Sequence, residues 1–343
     1  MEKKNQVENN EEQHFRDIVH SFKCYSSYCN KRLMKLKNCW YHLPDRQRNY
    51  IKLLFREKIS SVEKLILENQ KILDLFDGSD CCHINNENRK YNVTFMDKVV
   101  SCFKQIMRDW SDEGATERIK CYDIVIQFVK DLIPIELIDN EPNQKINILV
   151  PGAGLGRIVF ELAKLGYYTE GNEFSLHIKL KRNECTIYPW LLDFSNQTNL
   201  QNQLKGVKFP DVDISQVDLK NRMSFTAGEF LEVYANDAEK YDCIVTIFFI
   251  DTAHNVVDYC EAIFDILKPG GYWINFGPLL YHFDNMPKEA SIELNFDELK
   301  LMIEKIGFKF TYEKLDIPCS YVCDKDSMLQ YIYKCANFVC KKC

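Results

Sequence analysis

From Asn147 onward the chain alternates short apolar runs with stretches at helical spacing: "INILV", "YTEGNEF", "MSFTAGEF", "YDCIVTIFFID" and "GYWINFGPLL" appear in that order. Such alternation predicts an α/β fold, a parallel sheet with right-handed crossovers and helices on both faces. Loops at the carboxyl ends of the strands then converge on one crevice. The turn "PGAGLG" and the acidic residues Glu173, Glu229 and Asp251 all fall at such ends, which gathers them around one candidate site.

The chain has 343 residues, 46% of them hydrophobic, enough for one α/β domain and a substantial second element. Its net charge is −6 and its basic residues are dispersed, so no footprint for nucleic acid is expected. The opening "MEKKNQVENNEEQHFRD" lacks the apolar core of a signal peptide, and no stretch supplies the ~18 apolar residues of a membrane span. The expected compartment is the cytoplasm, with the nucleus left open as a second one. Fifteen cysteines, an odd number in a long chain, read as reduced thiols packed as small apolar groups. Cys340 and Cys343 at the end, and Cys81-Cys82-His83 in a polar stretch, lack a second ligand pair, so no metal is expected.

Apolar residues three or four apart make residues 1–142 a helical region, interrupted by the polar loop Gly78 to Asn92 and again near Gly114. Residues 143–343 form the α/β domain. Between its second strand and Met223 lies an insertion, about 180–222, far longer than the roughly two to six residues usual for such a loop. Its aromatic and proline content favours order, and its place at the ligand side suggests a lid or specificity element.

In the first turn the glycines run G-x-G-x-G, not G-x-G-x-x-G. Gly152 and Gly154 permit a tight turn and close backbone approach, and Gly156 lets the helix pack near the strand. Glu173 can accept hydrogen bonds from both hydroxyls of a ribose. These features suit a nicotinamide dinucleotide and S-adenosylmethionine alike, and a turn that binds nothing also stays open. Downstream, "VVDYCEAIFDILKPGGYWINFGP" joins a helix ending at Leu267–Gly271 to an apolar strand. It resembles the late-core motif of the seven-stranded, Rossmann-like methyltransferases, and with Glu173 and Glu229 it favours S-adenosylmethionine.

The blocks "ILVPGAGLGR", "GNEFS", "GVKFPDVD", "FFIDTAHN", "LKPGGYWINFGPLLYHF" and "SIEL", in this order, resemble the carnosine N-methyltransferase family from about Phe103 to the end. The first hundred residues match only in being helical. The resemblance implies a seven-stranded sheet preceded by helices, methyl transfer from S-adenosylmethionine to the imidazole of a small dipeptide, β-alanyl-histidine, and a homodimer through the amino-terminal helices. A histidine in another peptide or protein is the alternative acceptor, and a non-catalytic binding protein is the rival from another class. Carried over by motif, the cofactor would be held by Gly152, Glu173, the pair Glu229 and Phe230, Ile247, and Gln105 and Arg108 in "KQIMRDWS". Aspartate is usual where Glu229 stands and cysteine where Ile247 stands. Without the resemblance, Gln105 and Arg108 would read as a solvated helix face.

For the dipeptide the matched residues are Asp251, His282 and Tyr333, with Asp251 and His282 as the catalytic pair. Asp251 follows a strongly apolar strand, so its carboxylate needs a donor, either a ligand N–H or, as a helix cap, free backbone N–H groups. His282 has the ordinary reading of a structural histidine, and Tyr333 that of a core aromatic. His254, near Asp251, reads as packing.

Overall fold

The computed structural model describes residues 17, 20–75, 93–135, 145–173, 181–219 and 221–343. The loop Gly78 to Asn92, with Cys81, Cys82 and His83, lies outside the described residues. The chain forms two compact units, one of Met1–Glu113, His177–Ile214 and Val322–Gln330, the other of Gly114–Leu176, Ser215–Tyr321 and Tyr331–Cys343.

Among the described residues, the first unit is built on three long helices, α1 (Tyr25–Tyr41), α2 (Asp45–Leu75) and α3 (Val93–Trp110). Along α2, Ile59, Val62, Ile66, Asn69, Ile72 and Leu73 are buried, the three-and-four spacing of an amphipathic face. Asn69 is the polar exception at 0% exposure, and the insertion resolves it. Its amide donates to the Tyr25 hydroxyl (3.0 Å) and the Tyr188 carbonyl (3.1 Å), and accepts from the Tyr188 N–H (2.9 Å). The insertion adds an antiparallel pair, Cys185–Ile187 with Val207–Phe209. Lys104 meets Asp193 at 2.8 Å, and the Asp211 N–H donates to the Trp110 carbonyl at 2.8 Å. Up to Ile214 the stretch read as a lid groups with the helical unit, where a buried asparagine in α2 draws its backbone polar partners from it.

The second unit carries a seven-stranded sheet: β1 (Asn147–Pro151), β2 (Tyr168–Asn172), β3 (Met223–Thr226), β4 (Tyr241–Ile247), β5 (Leu267–Gly277), β6 (Phe308–Cys319) and β7 (Tyr333–Lys342). Their spatial order is β3-β2-β1-β4-β5-β7-β6, parallel except for β7, which is antiparallel to both neighbours. Central β4, "YDCIVTI", is an almost continuous apolar run because both its faces are covered. Cys243, Val245 and Ile247 join one apolar layer with Val125, Val129, Ile158 and Val159, while Ile244 joins the other with Val256, Ile263, Leu299 and Ile303.

The first layer uses α4 (Ile124–Leu132) and α5 (Arg157–Lys164), the second α6 (Val256–Ile266) and α7 (Phe296–Ile306). Residues from Ala115 to Leu132, a short helix, a π turn and α4, thus group with the sheet, and the boundary between units falls at Glu113 and Gly114, earlier than 142. The reason is α4's apolar face, whose Val125 and Val129 are fully buried. Helix α6 ends at Ile266, and Leu267–Gly271 already belongs to β5.

Candidate functional site

All the loops of interest in the second unit leave the carboxyl ends of parallel strands. After β1, Gly152, Gly154 and Gly156 have φ of +63°, +55° and +76°, a left-handed region that costs other residues about 1–2 kcal/mol. What presses on Gly152 is the protein itself, since a Cβ there would lie 2.4 Å from Cδ2 of Phe249. At Gly156 the ring of Phe225 plays that part, at 2.5 Å. The turn is docked through Gly152 N–H to the Asn172 carbonyl at 3.1 Å, while the Gly154 N–H meets no acceptor among the described residues.

Beyond β2, half-buried Glu173 donates its backbone N–H to the Thr226 carbonyl at 3.2 Å. Asn172 donates through Nδ2 to the carbonyls of Thr226 and Gly228, each at 3.1 Å, which ties this edge to the loop bearing Glu229. Glu229 is exposed and accepts the Glu232 N–H at 3.0 Å, capping the short helix Phe230–Val233. Phe230 is buried against Phe249 (5.5 Å) and Tyr259 (5.3 Å). Ile247, 8% exposed, ends β4 in register with Phe276. These residues share one edge of the sheet, whereas Gln105 and Arg108 stand on α3 in the helical unit. There Arg108 is buried, its guanidinium 2.8 Å from Asp109.

The acceptor candidates come together at the end of β4. Asp251 sits in a single 3-10 turn, Ile250–Thr252, and is 3% exposed. It does not cap a helix. Asn255 caps α6, and Asp251 Oδ2 accepts the Leu280 N–H at 2.9 Å from the chain beyond β5. Burial pushes the Asp251 carboxyl above its ordinary value, with the Leu280 amide and neighbouring His282 pulling the other way. The His282 N–H donates to the Asp251 carbonyl at 3.0 Å, and the side chain is exposed. Tyr333, at the start of β7, has its hydroxyl pKa raised by burial and then by the charge of Asp251. Two separate segments, Leu280 with His282 beyond β5 and Tyr333 on β7, therefore act on one carboxylate. His254 turns elsewhere, stacking on Phe283 at 3.5 Å with Nδ1 3.0 Å from the Ala290 carbonyl.

The sequence reading missed Phe248. Its φ is +52°, unusual for a bulky residue, and its N–H donates to the Phe276 carbonyl at 2.9 Å. The ring lies 4.8 Å from Tyr321 and 6.0 Å from Tyr333, an aromatic cluster that includes the substrate candidate Tyr333. A second aromatic immediately before "ID" was the only local hint. Leu280, which contributes a backbone N–H, carries no side-chain signal at all.

A sheet ordered 3-2-1-4-5-7-6 with only β7 reversed, and a glycine turn and two acidic loops at its ligand edge, defines the seven-stranded, Rossmann-like methyltransferase class. The family model described as carnosine N-methyltransferase matches residues 85–343. A mouse carnosine N-methyltransferase is 40% identical over 97% of this chain and 86% of its own length. A Schizosaccharomyces pombe protein of the same description is 32% identical, covering 95% of each chain, and a Drosophila melanogaster one is 40% identical over 71% of this chain and 55% of its own. The chain belongs to the carnosine N-methyltransferase family. The likeness extends well before Phe103, through the helices that had matched only in kind, since helical surfaces hold few residue types to a position.

Proposed function

We propose that this protein methylates the imidazole ring of carnosine, giving anserine, with S-adenosylmethionine as donor. The observation that carries the proposal is Asp251, a carboxylate 3% exposed at the end of β4 with His282 and Tyr333 around it. A buried carboxylate with one oxygen on Leu280 N–H retains lone pairs for a ligand donor, and an imidazole N–H is such a donor. Family membership supports the same acceptor.

When bound, the donor supplies a methyl group activated on a sulfonium. Residues of the second unit suited to hold it are Gly152, Glu173, Glu229, Phe230 and the backbone at Ile247. The Gly154 N–H without an acceptor and the carboxylates of Glu173 and Glu229 beyond neighbouring strands fit a hydroxyl-rich cationic ligand. The glutamate keeps a carboxylate, with a longer arm, where the resemblance implies an aspartate, and Ile247, where it implies a cysteine, would serve through its backbone.

Asp251 accepts the N–H of one imidazole nitrogen, which leaves the other bare toward the methyl and steadies the positive charge the ring acquires. Free imidazole, with a pKa near 6.5, is mostly neutral at pH 7, so a strong base is unnecessary. His282 orients the ring or takes the proton afterwards, and Tyr333 positions the dipeptide. Alignment supplies the largest share, since holding two reactants in line is worth roughly 7–11 kcal/mol. The acceptor is a small molecule, and no helix among the described residues is long and apolar enough to cross a membrane. Tyr50, Leu53 and Leu54 on α2, exposed at 71%, 78% and 66%, offer a surface for the homodimer. Purified protein incubated with S-adenosylmethionine and carnosine should add one methyl to the ring by mass spectrometry. Methylation of lysate proteins with carnosine untouched would overturn the acceptor.

A further inference from the structure

Three parts of the site meet on Tyr259. It stands half-buried on α6, its ring stacked on Phe249 at 4.9 Å and 16° and edge-on to Phe230 at 5.3 Å. Phe249 in turn is the ring that lies on Gly152, where a Cβ would come within 2.4 Å of it. Phe230 follows Glu229 in the chain, and Phe249 comes two residues before Asp251. One aromatic trio therefore backs the glycine turn, the Glu229 loop and the turn carrying Asp251.

The tyrosine hydroxyl adds a polar link. Burial, then the Glu229 carboxylate near it, push its pKa up to about 12. The Thr252 hydroxyl lies beside it and donates to the Phe249 carbonyl at 2.7 Å, closing the turn that holds Asp251. Glu229 already spends one oxygen on the Glu232 N–H, so a second partner would restrain the rest of its carboxylate.

We infer that Tyr259 is a positioning residue that couples the methyl-donor side of the site to its acceptor side, its ring holding Phe249 between Gly152 and Asp251 and its hydroxyl setting the Glu229 carboxylate. The inference rests on the carnosine methyltransferase reading. Two substitutions separate its parts, because Tyr259→Phe keeps the stack and removes the hydroxyl, while Tyr259→Leu removes both.

Binding of S-adenosylhomocysteine is measured by calorimetry, alongside melting temperature and the separate KM values for donor and carnosine. Tyr259→Phe should melt with the wild type, weaken S-adenosylhomocysteine about tenfold, as the loss of one hydrogen bond to a charged group implies, and raise only the donor KM. Tyr259→Leu should lower kcat as well, through Asp251. Wild-type affinity and wild-type donor KM in Tyr259→Phe would make the residue an ordinary core aromatic and overturn the inference, whether or not Tyr259→Leu folds. A wild-type chain that binds no S-adenosylhomocysteine overturns the donor reading, and this inference with it.

Discussion

Replacing Asp251 by asparagine exchanges one carboxylate oxygen for an amide NH2 in a site that is 3% exposed. The remaining oxygen can still accept the Leu280 N–H, held at 2.9 Å in the native chain, so the turn keeps its tether. The new NH2 cannot accept an imidazole N–H, and the negative charge that steadies a developing imidazolium is gone. Removing one preorganised electrostatic partner of this kind costs about 3–4 kcal/mol in the transition state, so kcat should fall roughly 10²- to 10³-fold. Stability should move the other way. Burial raises the folded pKa of Asp251 above its unfolded value, so ionising it in the fold costs stability. That cost is absent below the unfolded pKa and grows as pH rises through the folded one. The neutral asparagine escapes it, so near pH 7 the variant should melt at or above the wild type, and the advantage should vanish in acid. Single-turnover methylation, melting curves across pH and S-adenosylhomocysteine calorimetry read the three quantities separately. Turnover within about threefold of wild type would refute the acceptor role. Lost affinity for S-adenosylhomocysteine would move Asp251 to the donor side, and a lower melting temperature at pH 7 would refute the burial argument.

Gly152→Ala places a Cβ 2.4 Å from the Phe249 ring at a φ of +63°, so it should cost roughly 2–4 kcal/mol, read as a fall in denaturation midpoint. Asn337 is fully buried, and neither side-chain amide atom is hydrogen-bonded among the described residues. Asn337→Leu, close in shape, should therefore be neutral or stabilising by about 1–3 kcal/mol in the same measurement, and clear destabilisation would mean the amide has a partner in solution. Changing Leu53 and Leu54 together to lysine should convert the proposed dimer to monomer in sedimentation without lowering the melting temperature by more than a few degrees.

Much of this molecule was legible along the chain. Alternating apolar runs announced an α/β sheet, the glycines announced a left-handed turn after β1, and a lone carboxylate after "IVTIFFI" announced a residue in need of a donor. Such features are local: periodicity, φ and the cost of burying a charge are properties of a few neighbouring residues. Whether Asp251 capped a helix could not be read there, because its partner is a backbone N–H twenty-nine residues on, on a leucine whose side chain says nothing of it. Tyr333 feels the charge of Asp251 because β7 inserts antiparallel between β5 and β6. The insertion groups with the helical unit, where one buried asparagine 119 residues away takes partners from its backbone. Gly152 is pressed by Phe249 through packing between loops of separate strands. The chain determined by itself which segments would be strand, helix and turn; tertiary structure decided which polar group answers which, since a hydrogen bond or a ring contact depends on distance in space and leaves no period in the sequence.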